Sequence, residues 1–393
     1  MTFPGLATLR YLEDLKRLNP YEQSADQIKS LSSASAESTT LSDLLSLTED
    51  PQQSEQQWLA SIKHQPLTYA PQKGSESIRL KLIECYTRVG APKTVESVLL
   101  FNGAQEAIFS VMGALLSPGD EVIQCVPGYL PLLNSPVAHG AKSVQVPLVL
   151  NEQGKWSYDW TRVEQSITDK TKLITVNQPH NPTGAVLSNS DIAFLYQLVE
   201  RYDLYLLSDE VALLSDFNAV GFRSLFTDHP RVMTVGVCSK SLGLSGMRVG
   251  WLFANDQLLL QRLLEIKSYL GICISRVDEH FISLALNVAK PLLERNNRII
   301  ADNVSRFQED VVNAAEGLSW IPPQAGPVAL VAVDDPSIDC QQLVRALYQQ
   351  HALLVMPSEC FGVEGAHFRV GLGSVAVRDR WPLLVKMVRK MQS

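Results

Sequence analysis

Short apolar runs alternate with longer amphipathic stretches over most of the chain. The short runs are rich in Val, Ile, Leu and Phe, as buried strands are, and they are residues 95–101, 121–126, 172–177, 204–208, 232–238 and 249–253. The longer stretches have apolar residues at helical spacing and are residues 104–116, 191–201 and 257–272. This alternation predicts an α/β fold whose mostly parallel sheet is covered by helices on both faces.

Both ends of the chain differ from this central pattern. Residues 277–306 have long helical spacing, and a second α/β pattern follows them. Residues 9–18 also have helical spacing, whereas residues 24–46 are rich in Ser, Thr and Ala, which is typical of a linker or of an arm lying over another surface. We therefore predict three parts: an N-terminal helix and arm (residues 1–50), a large domain (51–290) and a smaller C-terminal α/β domain (291–393).

Composition and charge exclude several classes of protein. The chain has 393 residues and a net charge of −7, which argues against nucleic acid as a main partner because phosphate binding needs a basic surface. No apolar run reaches about 18 residues, so we predict no membrane span. The six cysteines form no CxxC pair, and the N-terminus lacks the pattern of a signal peptide. We expect reduced thiols, no metal site and a cytoplasmic protein.

One lysine follows the predicted strand that ends at residue 238. Lys240 lies in the string Ser-Lys-x-x-Gly-x-x-Gly-x-Arg, which runs from Ser239 to Arg248. An amine at the end of a buried strand is within reach of a pocket, and desolvation would favour its neutral, nucleophilic form. Arg248 offers a fork of donors that suits a phosphate. A single lysine is usually an exposed loop residue, but the ordered string argues against that alternative.

Polar residues also follow the other predicted strands, where ligands bind in sheets of this kind. Asp209 ends an otherwise apolar strand, so its carboxylate needs a cationic partner. Asn181 lies in an Asn-Pro turn, and Tyr129 follows a strand where its ring could stack on a flat ligand or simply pack. Gly103, Ala104 and Gln105 precede a helix whose N-terminal amides could bind phosphate. Arg369 interrupts an apolar strand of the small domain and could pair with a carboxylate.

In this order, these strings resemble the class I/II aminotransferases, the fold-type I enzymes that depend on pyridoxal 5'-phosphate. The resemblance covers about residues 60–393 and implies a mostly parallel seven-stranded sheet with a smaller α/β domain. It implies that Lys240 binds the cofactor covalently and then acts as general acid and base, that Asp209 pairs with the pyridine nitrogen, and that Arg369 binds the carboxylate of a small amino-acid substrate. It further implies a ring site at Tyr129 and Asn181, and a phosphate site at Gly103, Ala104, Gln105, Ser239 and Arg248.

The resemblance also implies a homodimer with shared active sites. Tyr69 looks like the tyrosine that this family sends across the dimer interface to the neighbour's phosphate. Three departures from the family pattern bear on the reaction. Ala212 replaces a tyrosine that usually follows the aspartate by three residues, Val237 replaces a common hydroxyl residue before the lysine, and the small-domain turn at residues 357–362 lacks its usual Pro-Gly start.

The serine-rich arm resembles the capreomycidine synthase-like subgroup, whose members cyclise hydroxylated arginines to capreomycidine and enduracididine. The similarity rests on a serine run at residues 32–33, on Thr40 and on the spacing to Leu44 and Leu47; it implies an arm over the active site with Ser33 and Glu37 near the substrate. One departure is Glu37, where that subgroup has a histidine.

Two reactions therefore remain open, and we favour the first. Elimination and cyclisation of a hydroxylated L-arginine would need an acid for the leaving hydroxyl and an anion for the guanidinium, for which Glu37, Asp216 and Glu210 are candidates. Ordinary transamination, the alternative, would need Lys240 to return the proton to the cofactor. A transcription regulator that binds the same cofactor is a third class, but the short N-terminal segment has no room for a DNA-binding module.

Overall fold

The computed structural model describes residues 10, 11, 13–15, 28–227 and 229–392. Its strands, in chain order, are β1 (Lys29–Ser30), β2 (Val98–Asn102), β3 (Glu121–Val126), β4 (Lys142–Pro147), β5 (Val149–Leu150), β6 (Trp156–Ser157), β7 (Thr171–Asn177), β8 (Tyr205–Asp209), β9 (Val232–Val237), β10 (Val249–Phe253), β11 (Leu318–Trp320), β12 (Val328–Val333), β13 (Leu353–Leu354), β14 (Met356–Pro357) and β15 (His367–Gly371).

The helices cover both faces of the main sheet and complete the small domain. They are α1 (Leu41–Ser46), α2 (Pro51–Lys63), α3 (Glu76–Tyr86), α4 (Ala104–Leu115), α5 (Leu130–Ala138), α6 (Trp160–Gln165), α7 (Asn189–Tyr202), α8 (Gln257–Tyr269), α9 (Arg276–Asn287), α10 (Ala289–Phe307), α11 (Cys340–His351) and α12 (Trp381–Gln392). Residues 10, 11 and 13–15 are also helical; the rest of the helix predicted at residues 9–18 lies outside the described residues.

A seven-stranded sheet forms the centre of the large domain, in the order β2-β10-β9-β8-β7-β3-β4. Strand β10 runs antiparallel to β2 and β9, and the other neighbouring pairs are parallel. The predicted fold-type I architecture with a mostly parallel sheet is therefore confirmed. Strands β3 and β9 are buried along their whole length, as expected for strands covered on both faces.

The small domain has a four-stranded antiparallel sheet in the order β11-β12-β15-β14. Helices α11 and α12 pack on it around buried residues such as Phe368 and Trp381. Helix α10 connects the two cores, because Leu292 near its start is buried in the large domain and Phe307 at its end is buried in the small one.

The N-terminal segment touches both domains. Strand β1 pairs in parallel with β13, and Leu31 is fully buried in the small-domain core. Thirteen residues after Leu31, the side chains of Leu44 and its neighbour Leu45 in α1 are buried in a core cluster of the large domain. The stretch between them crosses from one domain to the other. Among the described residues, no helix is both long and apolar enough to cross a membrane.

Candidate active site

A cavity of about 400 Å³ opens at the carboxyl ends of the parallel strands. Strands β7, β8 and β9 end at Asn177, Asp209 and Val237, and all three residues line it. Parallel strands place their carboxyl ends at one edge of the sheet, so loops that are far apart in sequence meet there. The arm and the small domain form the remaining walls.

Lys240 projects from the loop that follows β9. Burial and the positive charges of Arg369 and Arg248 lower the pKa of its ammonium group to about 8, although Asp209 acts in the opposite direction. A lysine with a pKa in this range carries a substantial neutral fraction near neutral pH, and the neutral amine is the nucleophile. The carbonyl oxygen of Lys240 accepts a hydrogen bond from the backbone of Ala36 at 2.8 Å, which ties the arm to this loop.

Asp209 lies at the floor of the cavity and is 2% exposed. Burial raises the pKa of its carboxyl group to about 6, while a backbone hydrogen bond from Val211 and the charge of Lys240 lower it. The side-chain amide of Asn177 donates to the carbonyl oxygen of Asp209 at 2.7 Å and fixes the strand end. A buried carboxylate of this kind is stabilised by a cation placed beside it.

A close approach between a glycine and an arginine shapes one end of the cavity as an anion cradle. Gly103 has a φ of 82° and precedes α4, and a Cβ atom built on it would lie 2.5 Å from Nη2 of Arg248. Glycine is therefore required for the guanidinium to lie against the helix start. Ala104 and Gln105 open α4 and line the cavity together with Ser239 and Arg248. Helix N-terminal amides and a guanidinium suit a phosphate dianion.

Arg369 forms the opposite end and is 7% exposed. Its Nη1 donates to Oδ1 of Asn181 at 2.9 Å, and its Nη2 donates to the carbonyl oxygen of Ser32 at 2.5 Å. The guanidinium lies 4.9 Å from the ring centre of Phe361. The Nε atom is buried without a hydrogen-bond partner. No carboxylate pairs with this arginine among the described residues, so a carboxylate ligand would complete its hydrogen bonding.

Tyr129 and Asn181 lie between the two ends. Tyr129 precedes α5 and lines the cavity, where burial and the charge of Asp209 raise the pKa of its hydroxyl group to about 12. The backbone amide of Asn181 donates to Oδ1 of Asn177 at 2.5 Å, which orients the Asn-Pro turn toward the cavity.

The serine-rich arm passes over the cavity in close contact with glycines on both domains. Cβ atoms built on Gly371 and Gly373 of the small domain would lie 2.0 Å from the carbonyl oxygens of Ser33 and Ser35. On the large domain, a Cβ on Gly243 would lie 1.9 Å from a carbonyl oxygen further along the arm. Ser33, Ala34 and Ser35 line the cavity. The arm is thus enclosed between the domains, and any side chain at these glycines would displace it.

Three residues predicted for the site do not line the cavity. The Glu37 carboxylate accepts hydrogen bonds from the Ser374 hydroxyl at 3.1 Å and the Val375 amide at 2.6 Å, so it caps a helical turn of the small domain instead of facing a substrate. Tyr69 is 78% exposed, and it is not among the residues that line the cavity within one chain. Gly103 itself is not part of the lining, but its lack of a side chain makes room for the Arg248 guanidinium, which does line the cavity.

The two other carboxylates proposed for a guanidinium also point elsewhere. Glu210 is buried beneath the site, where it accepts hydrogen bonds from the Ser224 hydroxyl at 2.6 Å and the Leu225 amide at 2.7 Å. Asp216 accepts backbone amides within its own loop. Among the described residues, Asp209 is the one carboxylate that lines the cavity.

Several lining residues are absent from the sequence predictions. Asn177 holds both Asp209 and Asn181, and its position at the end of a buried strand was the signal that could have indicated it. Met356 and Phe361 line the substrate end, beside Arg369. The Ser32 carbonyl that binds Arg369 carries no signal in the sequence, because every residue has a carbonyl group.

The charges of the cavity fit pyridoxal 5'-phosphate. Arg248 and the start of α4 match its phosphate, the buried Asp209 matches a protonated ring nitrogen, and the amine of Lys240 matches its aldehyde. The glycine at position 103 keeps open the cradle that a phosphate needs. Together with the fold, this arrangement defines a fold-type I enzyme that depends on pyridoxal phosphate.

Comparison with known proteins places the chain within that class. Residues 37–380 match the family described as aminotransferase class I and II, and the chain belongs to this family. It is 32% identical to the arginine–pyruvate transaminase of Pseudomonas aeruginosa over 77% of each chain. It is 28% identical to the capreomycidine synthase of Streptomyces vinaceus over 70% of this chain and 69% of that enzyme. A pyridoxal-phosphate-dependent aminotransferase from Streptococcus suis superposes over the whole length of both chains, with a TM-score of 0.87 and 25% identity.

Proposed function

We propose that the protein is a transaminase that transfers the α-amino group of an L-amino acid to an α-keto acid. The observation that carries this proposal is the position of Lys240 between Asp209 and Arg369, with a pKa lowered to about 8. Arg369 holds the substrate carboxylate at one end, and Lys240 then faces the α-carbon. When bound, pyridoxal phosphate supplies an electron sink for the charge that develops at that carbon.

The residues that line the site have distinct roles in this reaction. The Lys240 amine takes the α-proton and later gives a proton back, as general base and then general acid. Asp209 keeps a positive charge on the ring nitrogen. Arg369 and Asn181 orient the substrate, and the arm with Phe361 excludes water from the bound amino acid.

Cyclisation of a hydroxylated arginine, the reaction that the sequence favoured, becomes the second candidate. It is supported by the arm over the cavity and by the similarity to capreomycidine synthase. It needs a second acid beside the substrate, however, and Glu37, Glu210 and Asp216 all bind groups away from the cavity. Transamination needs no acid or base other than Lys240, so the geometry favours it.

We also propose that the enzyme is a homodimer whose partner subunit completes the site. Leu67, Tyr69 and Tyr269 are apolar or aromatic and are 81%, 78% and 89% exposed. Large apolar side chains that are exposed on a single chain are candidates for an interface. A dimer that covers them would allow Tyr69 to serve the neighbouring site.

Isotope transfer distinguishes the two reactions. The holoenzyme is incubated with α-¹⁵N-labelled L-amino acids and pyruvate, and alanine is analysed by mass spectrometry. We expect ¹⁵N-alanine, and keto acid formation that requires pyruvate. Conversion of hydroxyarginine to a cyclic product without any keto acid, and no label in alanine from any amino acid, would contradict the proposal. The Lys240→Ala variant serves as the blank.

A further inference from the structure

We infer that the substrate has a neutral, largely apolar side chain, and that the enzyme discriminates against both acidic and basic amino acids. This inference rests on the proposed function and adds the class of substrate to it. Among the described residues, four charged side chains line the cavity: Asp209, Lys240, Arg248 and Arg369. The cofactor and the substrate's own carboxylate use all four.

The assignment of these charges leaves none for a substrate side chain. Arg248 faces the phosphate end, Lys240 carries the cofactor, and Asp209 is buried at the floor. Arg369 takes the α-carboxylate. A charged side chain that enters such a site loses its water without gaining an opposite charge, and an unpaired buried charge costs several kcal/mol.

Apolar side chains lie beside Arg369, where the α-carbon substituents of a bound amino acid would lie. Phe361 packs on the guanidinium with its ring centre 4.9 Å away, and the Met356 sulfur lies 3.3 Å from Nη2 of Arg369. Leu130, Pro131 and Ile108 line the same cavity. These side chains offer dispersion contacts to an apolar group and no hydrogen bonds to a charged one.

Val237 adds to the apolar lining of the cavity. It ends β9, lines the cavity and is 5% exposed. It lies three residues before Lys240, and its isopropyl group presents carbon, not a carboxylate, to the cavity.

The two segments around the exposed Tyr69 and Tyr269 contain no carboxylate. Residues 64–75 and 268–277 have no Asp or Glu. Their lysine and arginine are already paired, since Lys73 contacts Glu96 at 2.7 Å and Arg276 contacts Glu279 at 2.9 Å. If a partner subunit presents these two segments to the site, they add no negative charge that could pair with a basic substrate.

A substrate panel tests the inference by two independent measurements. The holoenzyme is titrated with L-leucine, L-methionine, L-phenylalanine, L-arginine and L-aspartate, and the visible absorbance of the cofactor gives a Kd for each. Turnover with pyruvate gives kcat/KM. We expect the neutral amino acids to exceed arginine and aspartate by about 100-fold in both quantities, the size that an unpaired charge implies.

Different results would contradict the neutral-substrate inference and the proposed transaminase activity. Arginine or aspartate within tenfold of leucine, by Kd or by kcat/KM, overturns the neutral-substrate inference and leaves transamination standing. Absence of pyruvate-dependent turnover for every amino acid overturns the proposed transaminase, while the Kd values still decide the substrate class.

A pair of variants at Val237 sharpens the test. Val237→Asp adds one carboxylate to the cavity, and Val237→Asn adds the same shape without charge. We expect Val237→Asp to lower the arginine-to-leucine Kd ratio at least tenfold relative to Val237→Asn, whose ratio should remain that of the wild type. Equal ratios in the two variants would show that charge in the cavity does not set selectivity. The cofactor's own absorbance checks that each variant is folded and loaded.

Discussion

The two walls of the cavity are built in different ways. The large-domain wall consists of strand ends and the loops that directly follow them. Asp209 is the last residue of β8, and Lys240 lies three residues after the end of β9. The opposite wall is assembled from an arm, a turn and a strand that are far apart in sequence, represented by Ser33, Phe361 and Arg369.

The residues proposed to carry out the reaction therefore lie mainly in the large-domain wall, and those proposed to bind the substrate carboxylate lie mainly in the opposite wall. Residues that activate the cofactor are fixed by short local strings on a rigid sheet. Residues that meet the substrate depend on how the small domain and the arm pack over it. Loss of a cofactor-binding residue in the first wall should abolish the reaction, whereas a change in the second should alter binding or choice of substrate.

Lys240→Ala should have the largest effect, because it removes both the attachment point and the proton carrier. We expect turnover to fall by at least about 10⁴-fold, the upper range for loss of a general acid–base. Loss of the cofactor's protein-bound absorbance should accompany it. Lys240→Arg keeps the charge but not the neutral amine and should be equally inactive; retained turnover in either variant would show that another group moves the proton.

Arg369→Gln tests the substrate wall and should have the next largest effect. Loss of the bidentate carboxylate site should reduce kcat/KM by about 10²–10³-fold, as for breaking a buried charged pair. The variant should still bind the cofactor and show its protein-bound absorbance, because Arg369 lies at the substrate end of the cavity. A variant with normal kcat/KM would show that the substrate carboxylate binds elsewhere.

Much of the cofactor wall could be predicted from the sequence, because a glycine, a lysine and an arginine at fixed spacing leave a local signature. The fold was predictable for the same reason, but its irregular parts were missed. Strand β4 is an edge strand with mostly exposed residues and lacks an apolar run. The predicted helix at residues 277–306 is divided at Val288, and Pro291 was the signal for this break, because it has no amide to donate to the carbonyl oxygen of residue 287 as a continuous helix requires.

The substrate wall was less predictable, because its contacts are tertiary. Glu37 was expected near a substrate, yet its carboxylate caps the turn at Ser374, a residue 337 positions away. Ser33 does line the cavity, as the arm resemblance implied. No local pattern distinguishes these two outcomes, since they depend on where the small domain places Gly371, which contacts Ser33, and Ser374, which bonds Glu37.

Gly371→Ala tests whether the arm must lie against the small domain. The added methyl group would meet the Ser33 carbonyl oxygen at 2.0 Å, so the arm must shift. Overpacking of this kind costs about 1–3 kcal/mol, and we expect KM for the amino acid to rise about tenfold or more with little change in cofactor absorbance. Gly246→Ala is the matched control, because a Cβ there meets nothing within 4 Å. Equal behaviour of the two variants would contradict a role for arm contact.

The pH dependence of cofactor uptake needs no substitution and reports on Lys240 and the charges around it. Since burial lowers the pKa of Lys240 to about 8, its amine is protonated below that pH and neutral above it. The rate at which the apoenzyme takes up pyridoxal phosphate should therefore rise about tenfold per pH unit below 8 and level off above it. A rise that continues to pH 10 would show that the lysine is not desolvated.

Exchange of the substrate's α-hydrogen with D₂O tests the central claim most directly, because it follows the proton that Lys240 is proposed to move. The holoenzyme is mixed with L-leucine in D₂O without a keto acid, and the α-hydrogen signal is followed by NMR. The wild type should replace that hydrogen with deuterium, and Lys240→Ala should slow the exchange by at least about 10³-fold. Exchange at the wild-type rate in Lys240→Ala would contradict the account.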